Sequence, residues 1–356
     1  MSIFGRRIGP VTALVLLAPF MAEILSGASS PLVFVTFPPA ILLDLGLYGC
    51  GAVLIREAAV RWGRGWPSIL AMGVAFAVVE EGFVVSSFFD PLSPARQGFD
   101  ASGTFGAGPD GSNWVWIPVL CIFHAVTAIA LPILVAQLAY PSRARASWLS
   151  GRRLVGAVAW LIGAAALGRA MFSSGAFARG YYAHIALWQV VASVAAIAGL
   201  VLLARYLPAR IGPAVAPGRL PRPGRLAVLG GAAYAVYFMA GFGGPALGLS
   251  PAVVLGVVLG DAVMAAAALV WLSSRAGWSD RHRFAVPAGV AAFQVGMNLL
   301  SGIDAIVVGI LAGYALYRSW RWLKASTAPP EEPPPVTPLT DIARRHERRR
   351  GMPPRP

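Results

Sequence analysis

Apolar runs of about 20 residues, parted by short polar stretches, recur along the whole chain. Each is the length a helix needs to cross a hydrocarbon layer of about 30 Å. The pattern predicts helices near 8–27, 38–57, 67–89, 114–139, 154–173, 183–204, 226–244, 250–272, 284–300 and 302–318. It reads as an all-α fold, a polytopic transmembrane bundle of about ten spans forming one membrane domain over 1–324. Gly241, Gly243, Gly244 and Pro245 interrupt the seventh run. The ninth and tenth are short and parted only by Ser301-Gly302, so they read as two crossings, a helical hairpin or a re-entrant element. Arg6 and Arg7 before the first run resemble a signal peptide. The run from Ile8 to Ser26 is long for one, and predicts an uncleaved first helix.

The connecting segments test the number of spans. If the N-terminus is cytoplasmic, 26 of the 29 lysines and arginines fall on the cytoplasmic side; only Arg96, Arg169 and Arg179 lie elsewhere. This is the asymmetry of the positive-inside rule, and it predicts both termini in the cytoplasm. Trp62, Trp66, Trp148, Trp320 and Trp322 would mark the inner interface; Trp114, Trp116, Tyr181 and Tyr182 would mark the outer one. Residues 90–113 form a polar outer loop, either a lid over the extracytoplasmic face or a plain connector. Residues 325–356 are proline-rich, then basic from Arg344 to Arg350. They predict a disordered cytoplasmic tail, either simply solvated or in contact with anionic lipid.

Composition agrees. Charged residues make up 12% of 356, about half the share in soluble proteins, so the expected solvent is lipid. The richness in arginine, alanine, glycine and proline resembles a GC-rich bacterial genome, and the membrane expected is the cell's inner, or plasma, membrane. A net charge of +14 would suggest nucleic acid in a soluble chain. Here the arginines lie between spans rather than on one face, so topology explains them and no nucleic-acid partner is expected. Cys50 and Cys121 each sit within an apolar run, with no spacing that suggests a disulfide or a structural zinc site. No cofactor, metal or partner protein follows from the sequence. Glycine pairs spaced four apart, Gly256 with Gly260 and Gly309 with Gly313, would permit close helix approach, although 40 glycines produce such pairs by chance.

An ionisable side chain within hydrocarbon costs about 2.5–3.5 kcal/mol on insertion scales, so each needs a partner or a purpose. The intramembrane set is Glu23, Asp44, Glu80, Glu81, His124, Arg169 and Asp261, with His184 and Asp304 near outer helix ends. At about 1.5 Å per residue, Glu80 lies about 13 Å, His124 about 15 Å, Asp261 about 16 Å and Asp44 about 9 Å below the outer ends. The polar groups therefore belong to the outer half of the membrane. Glu80 or Glu81 could meet His124 across a pair of consecutive helices. Neighbours on an α-helix point about 100° apart, so only one of the two glutamates should face the imidazole, leaving the other to Arg169 or a proton. A carboxylate–imidazole pair can shuttle protons, orient a water or bind a metal. It can equally do no more than fix helix register.

Val79-Glu80-Glu81-Gly82, the Phe123-His124 pair and the later His184 resemble the motifs of the CAAX-processing and bacteriocin-immunity family of intramembrane proteases, over about residues 70–190. The resemblance implies that Glu80 or Glu81, with His124 and His184, activates a water to cut a peptide bond. The chain departs from the family at Val85, Leu120 and Trp188, which stand where an arginine, a phenylalanine and an asparagine are expected. Three functions stay open: a transporter or ion-coupled carrier using Asp44, Glu80, Glu81, His124 and Asp261; a Glu/His-dependent intramembrane protease or hydrolase; and a non-catalytic membrane assembly protein.

Overall fold

The computed structural model describes residues 2–3, 6–97, 99–100, 104–175, 182, 184–212 and 218–326. It is a polytopic helical bundle. The helices are α1 (Pro10–Leu25), α2 (Pro31–Thr36), α3 (Pro39–Arg61), α4 (Trp66–Val84), α5 (Pro94–Gln97), α6 (Trp116–Ala139), α7 (Gly151–Ser173), α8 (Leu187–Tyr206), α9 (Pro223–Gly243), α10 (Pro251–Ser273), α11 (Asp280–Leu299) and α12 (Ile303–Ser326). A helix stands in each of the ten expected segments. Eight are long and apolar enough to cross a membrane; α1 is shorter, and α11 carries Asp280, Arg281 and Arg283 in its first turn. Most of the stretch expected as a tail, 327–356, lies outside the described residues, as do Arg179 and Tyr181.

Local chemistry sets the ends. Proline, whose missing N–H costs nothing in a first turn, opens α1, α2, α3, α4, α9 and α10. α3 closes where Gly63 takes φ +65°. The N–H of Arg64 then donates to Ala59 O at 2.7 Å and that of Gly63 to Val60 O at 3.1 Å, satisfying carbonyls that helix termination frees.

Three helices are central. Of their membrane-length windows 61% (α3), 67% (α4) and 72% (α6) is buried, against 11–28% for α7, α8, α9, α10 and α12, whose remaining apolar surface suits lipid. The tightest crossing joins α9 to α11, where a Cβ on Gly289 would come 2.0 Å from Ala227 O and 2.7 Å from Gly231 N. Gly256 and Gly260 meet nothing within 4 Å, so they bring no described helix close.

Several expectations change. The seventh helix is unbroken to Gly243, and Gly244-Pro245 end it rather than interrupt it. The ninth and tenth segments, left open between two crossings, a hairpin and a re-entrant element, are two helices of 20 and 24 residues. The third stops at Val84, because Ser86 turns to φ +61°. His184 precedes the sixth helix rather than opening it. Trp116 and Trp148 are buried in packing, not set in an interfacial belt. The guanidinium of Arg56 lies 3.8 Å from the Trp148 ring centroid.

The arginine-bearing connections meet at one end of the bundle. Arg61 donates to Ser147 and Leu149 O, Arg64 to Leu207 O, and Arg210 to Ser273 O. At the other end the described part of 90–113 is folded, not loose. Ser93, Arg96, Phe99 and Asn113 are buried there. Asn113 donates to Phe105 O at 2.8 Å while its Oδ1 accepts from the N–H groups of Val115 and Trp116, which begin α6. Burial pulls the Arg96 guanidinium below its usual range, and the carboxylates of Asp100 and Asp90 pull it back.

Candidate functional site

Four helices widen into π-turns: α1 at Phe20–Leu25, α3 at Leu45–Gly49, α4 at Val78–Val84 and α6 at His124–Ala130. A wide turn holds more residues than an α-turn, so successive side chains diverge less, and such turns recur at functional sites. All four carry polar groups to one centre. α1 brings Glu23, α3 brings Tyr48 and the preceding Asp44, α4 brings Glu80 and Glu81, and α6 brings His124.

The centre is closely bonded. His124 Nε2 lies 3.0 Å from Glu80 Oε2 and 3.7 Å from Glu81 Oε1. The expectation of a single facing glutamate is thus corrected, because both sit in the wide turn. Nδ1 of His124 stands 2.8 Å from Leu120 O. A carbonyl only accepts, so Nδ1 carries the hydrogen and Nε2 is the atom turned to the carboxylates. Glu81 Oε2 accepts from the Ser87 hydroxyl, whose oxygen takes the indole N–H of Trp116 at 2.9 Å. The Tyr48 hydroxyl lies between Glu80 Oε1 and Glu23 Oε1, and Ser29 donates to Glu23 Oε2 at 2.5 Å. One phenol has one proton to give, so a carboxyl must supply the proton for the second of its two contacts. The rings of Tyr48, Phe76 and Phe123 surround the imidazole, at centroid distances of 6.2, 6.1 and 5.2 Å.

Charge is the unusual feature. Glu80, Glu81 and His124 are 5%, 7% and 1% exposed, and Asp44 lies within electrostatic range of Glu23 and Glu80. Among the described residues no lysine or arginine pairs with any of these four carboxylates. Arg169 donates instead to Phe83 O and Ser86 Oγ, at the end of α4. Two like charges about 4 Å apart repel by about 4 kcal/mol even at an effective dielectric of 20. Protons or a cation must therefore balance the cluster.

Other expected site residues lie apart. His184 is exposed, its backbone N–H 3.5 Å from Asp90 Oδ2. Asp261 is partly exposed on α10 and makes no hydrogen bond or ion pair with a described residue. The sequence reading passed over Tyr48 and Ser87, which look like ordinary packing residues in or beside apolar runs, and set Trp116 in the outer interfacial belt. It also passed over Glu57, 1% exposed, which accepts from Arg56, Ser147 and the Trp148 N–H.

Fold and site together define a multi-pass helical membrane protein with a buried acidic centre. Residues 13–315 match the model of a family described as an uncharacterized membrane protein family, and the chain belongs to that family. No curated protein and no solved structure matches it.

Proposed function

We propose that the protein is an ion-coupled carrier of the cell's inner membrane, with both termini in the cytoplasm and the acidic centre served from the outer side. The observation that carries this reading is that Glu23, Glu80, Glu81 and His124 share a centre, with Asp44 in electrostatic range, and that no arginine or lysine among the described residues pairs with these acids. Intramembrane acids mark ion pathways and proton relays, in which such a set holds protons or a cation and releases them in turn. The orientation rests on the 26 basic residues expected on one side. Reconstitution tests it: proteoliposomes should carry a proton or cation flux that Glu80→Gln with Glu81→Gln abolishes, while the variant stays monodisperse. Flux equal to wild type in that double variant overturns the carrier.

A second reading, an intramembrane hydrolase, is favoured by the convergence of Glu80, Glu81 and His124 alone. It must do without His184, which stands exposed near Asp90. Peptide cleavage lost in both Glu81→Ala and His124→Ala would support it, and cleavage retained in both would exclude it.

A further inference from the structure

We infer that Glu80, Glu81 and His124 form a binding site for one divalent transition-metal ion of the zinc, manganese or cobalt class. This deepens the carrier reading, since it names the kind of cation the acidic centre holds, and it rests on that centre being a cation site.

Geometry is the first support. One ligand atom from each residue falls within 4.8 Å of the others. A tetrahedral ion with bonds of about 2.0–2.1 Å holds its ligand atoms about 3.3–3.4 Å apart. The separations from His124 Nε2, 3.0 and 3.7 Å, fall on either side of that value. Satisfaction is the second. His124 Nε2 and Glu80 Oε2 are buried and 3.0 Å apart, at ion-pair range, yet neither has a hydrogen-bond partner of regular geometry. A simple charge-assisted pair would be a well-aligned bond; an ion shared between the two atoms would give each the partner it lacks.

The surrounding shell is the third support. Metal-bound histidines commonly donate their other ring N–H to a carbonyl, and bound carboxylates are themselves held by hydrogen bonds. Here every ligand is anchored through its other polar atom: His124 Nδ1 on Leu120 O, Glu80 Oε1 on the Tyr48 hydroxyl, and Glu81 Oε2 on the Ser87 hydroxyl. Each residue therefore keeps one atom for the ion. The ligand set selects its guest. One imidazole with two carboxylates suits zinc, manganese, iron and cobalt; calcium needs six or more oxygens and copper(I) prefers sulfur. Three protein ligands also leave one position of a tetrahedron for water or cargo.

The test uses the full-length protein, purified in detergent and stripped with a chelator. Zn²⁺, Mn²⁺ and Co²⁺ are each titrated calorimetrically, and Co²⁺ binding is also followed by its visible spectrum. One ion should bind per chain. Binding should vanish in His124→Gln and weaken about 10–100-fold in Ser87→Ala, which touches only the anchoring shell. It should be unchanged in Asp280→Asn, on the exposed first turn of α11. Ser87→Ala keeps the test decisive if His124→Gln does not fold. No saturable binding of any of the three ions overturns the site, as does an affinity equal to wild type in Ser87→Ala. Binding without flux upholds the site and overturns the carrier. Proton flux in metal-stripped vesicles together with no saturable binding of any of the three ions does the reverse.

Discussion

Tyr48 touches both Glu23 and Glu80, and its hydroxyl links acids carried by two different helices. Tyr48→Phe keeps the ring packing and deletes that link, leaving buried carboxyl oxygens without a partner. It should lower stability by about 1–3 kcal/mol, read as a lower midpoint in thermal unfolding in detergent. A midpoint equal to wild type would mean that the two acids do not need the phenol. A second residue-scale contact lies far from the site. Glu57 gathers Arg56, Ser147 and the Trp148 N–H at the arginine-rich end, and Arg56 is fully buried. Glu57→Ala strands that guanidinium and should cost about 3–5 kcal/mol, while ion binding in whatever protein folds is retained. The pairing of Glu80 or Glu81 with His124 is legible in the sequence, since rise per residue puts them at one depth. Tyr48 is not, because a tyrosine in an apolar run has the same signature whether it packs or bonds. Nor is Glu57, whose sequence context suggests only a charge near a helix end.

At the scale of elements, the wide turns decide the site. An α-helix at Val78–Val84 would send Glu80 and Glu81 about 100° apart, whereas the π-turn lets both approach His124. Deleting Val79 should return α4 to regular register with its flanks nearly unmoved. Helix content by circular dichroism should stay, and metal affinity should fall at least tenfold; unchanged affinity would mean that the wide turn is incidental. Hydropathy cannot reveal such turns, because a slip from i→i+4 to i→i+5 bonding depends on what packs against the helix rather than on its apolar period. The α9–α11 crossing was hidden for a related reason. Gly231 and Gly289 are no more conspicuous than the other glycines until their backbones meet. Gly289→Leu should force those helices apart and cost at least about 1–3 kcal/mol, measured as loss of the monodisperse peak on heating. Gly256→Leu, which meets only open space, should be neutral.

For the whole molecule, the alternation of apolar runs and arginine-bearing connections carries most of the architecture. A helix stands in each of the ten segments, and the arginine-bearing connections come together at one end, because bilayer thickness and surface charge act on sequence directly. The folded loop at the opposite end is less legible. Its order comes from Arg96, Phe99 and Asn113 finding partners, whereas its Gly, Ser, Asp and Pro content leaves a lid and a plain connector both open. A reporter that is active only outside the cytoplasm should work when fused within 104–113 and fail within 207–212. The reverse pattern would invert the orientation. In the proposed carrier, the acidic centre takes up a cation from that opposite side. Charge movement on a solid-supported membrane tests it most directly, with the protein reconstituted in one orientation. A step of Zn²⁺ or of acid at the face opposite the arginines should give a transient current in wild type and none in Glu80→Gln with Glu81→Gln. An equal current in the double variant, or a current only when the step reaches the arginine-rich face, would contradict it.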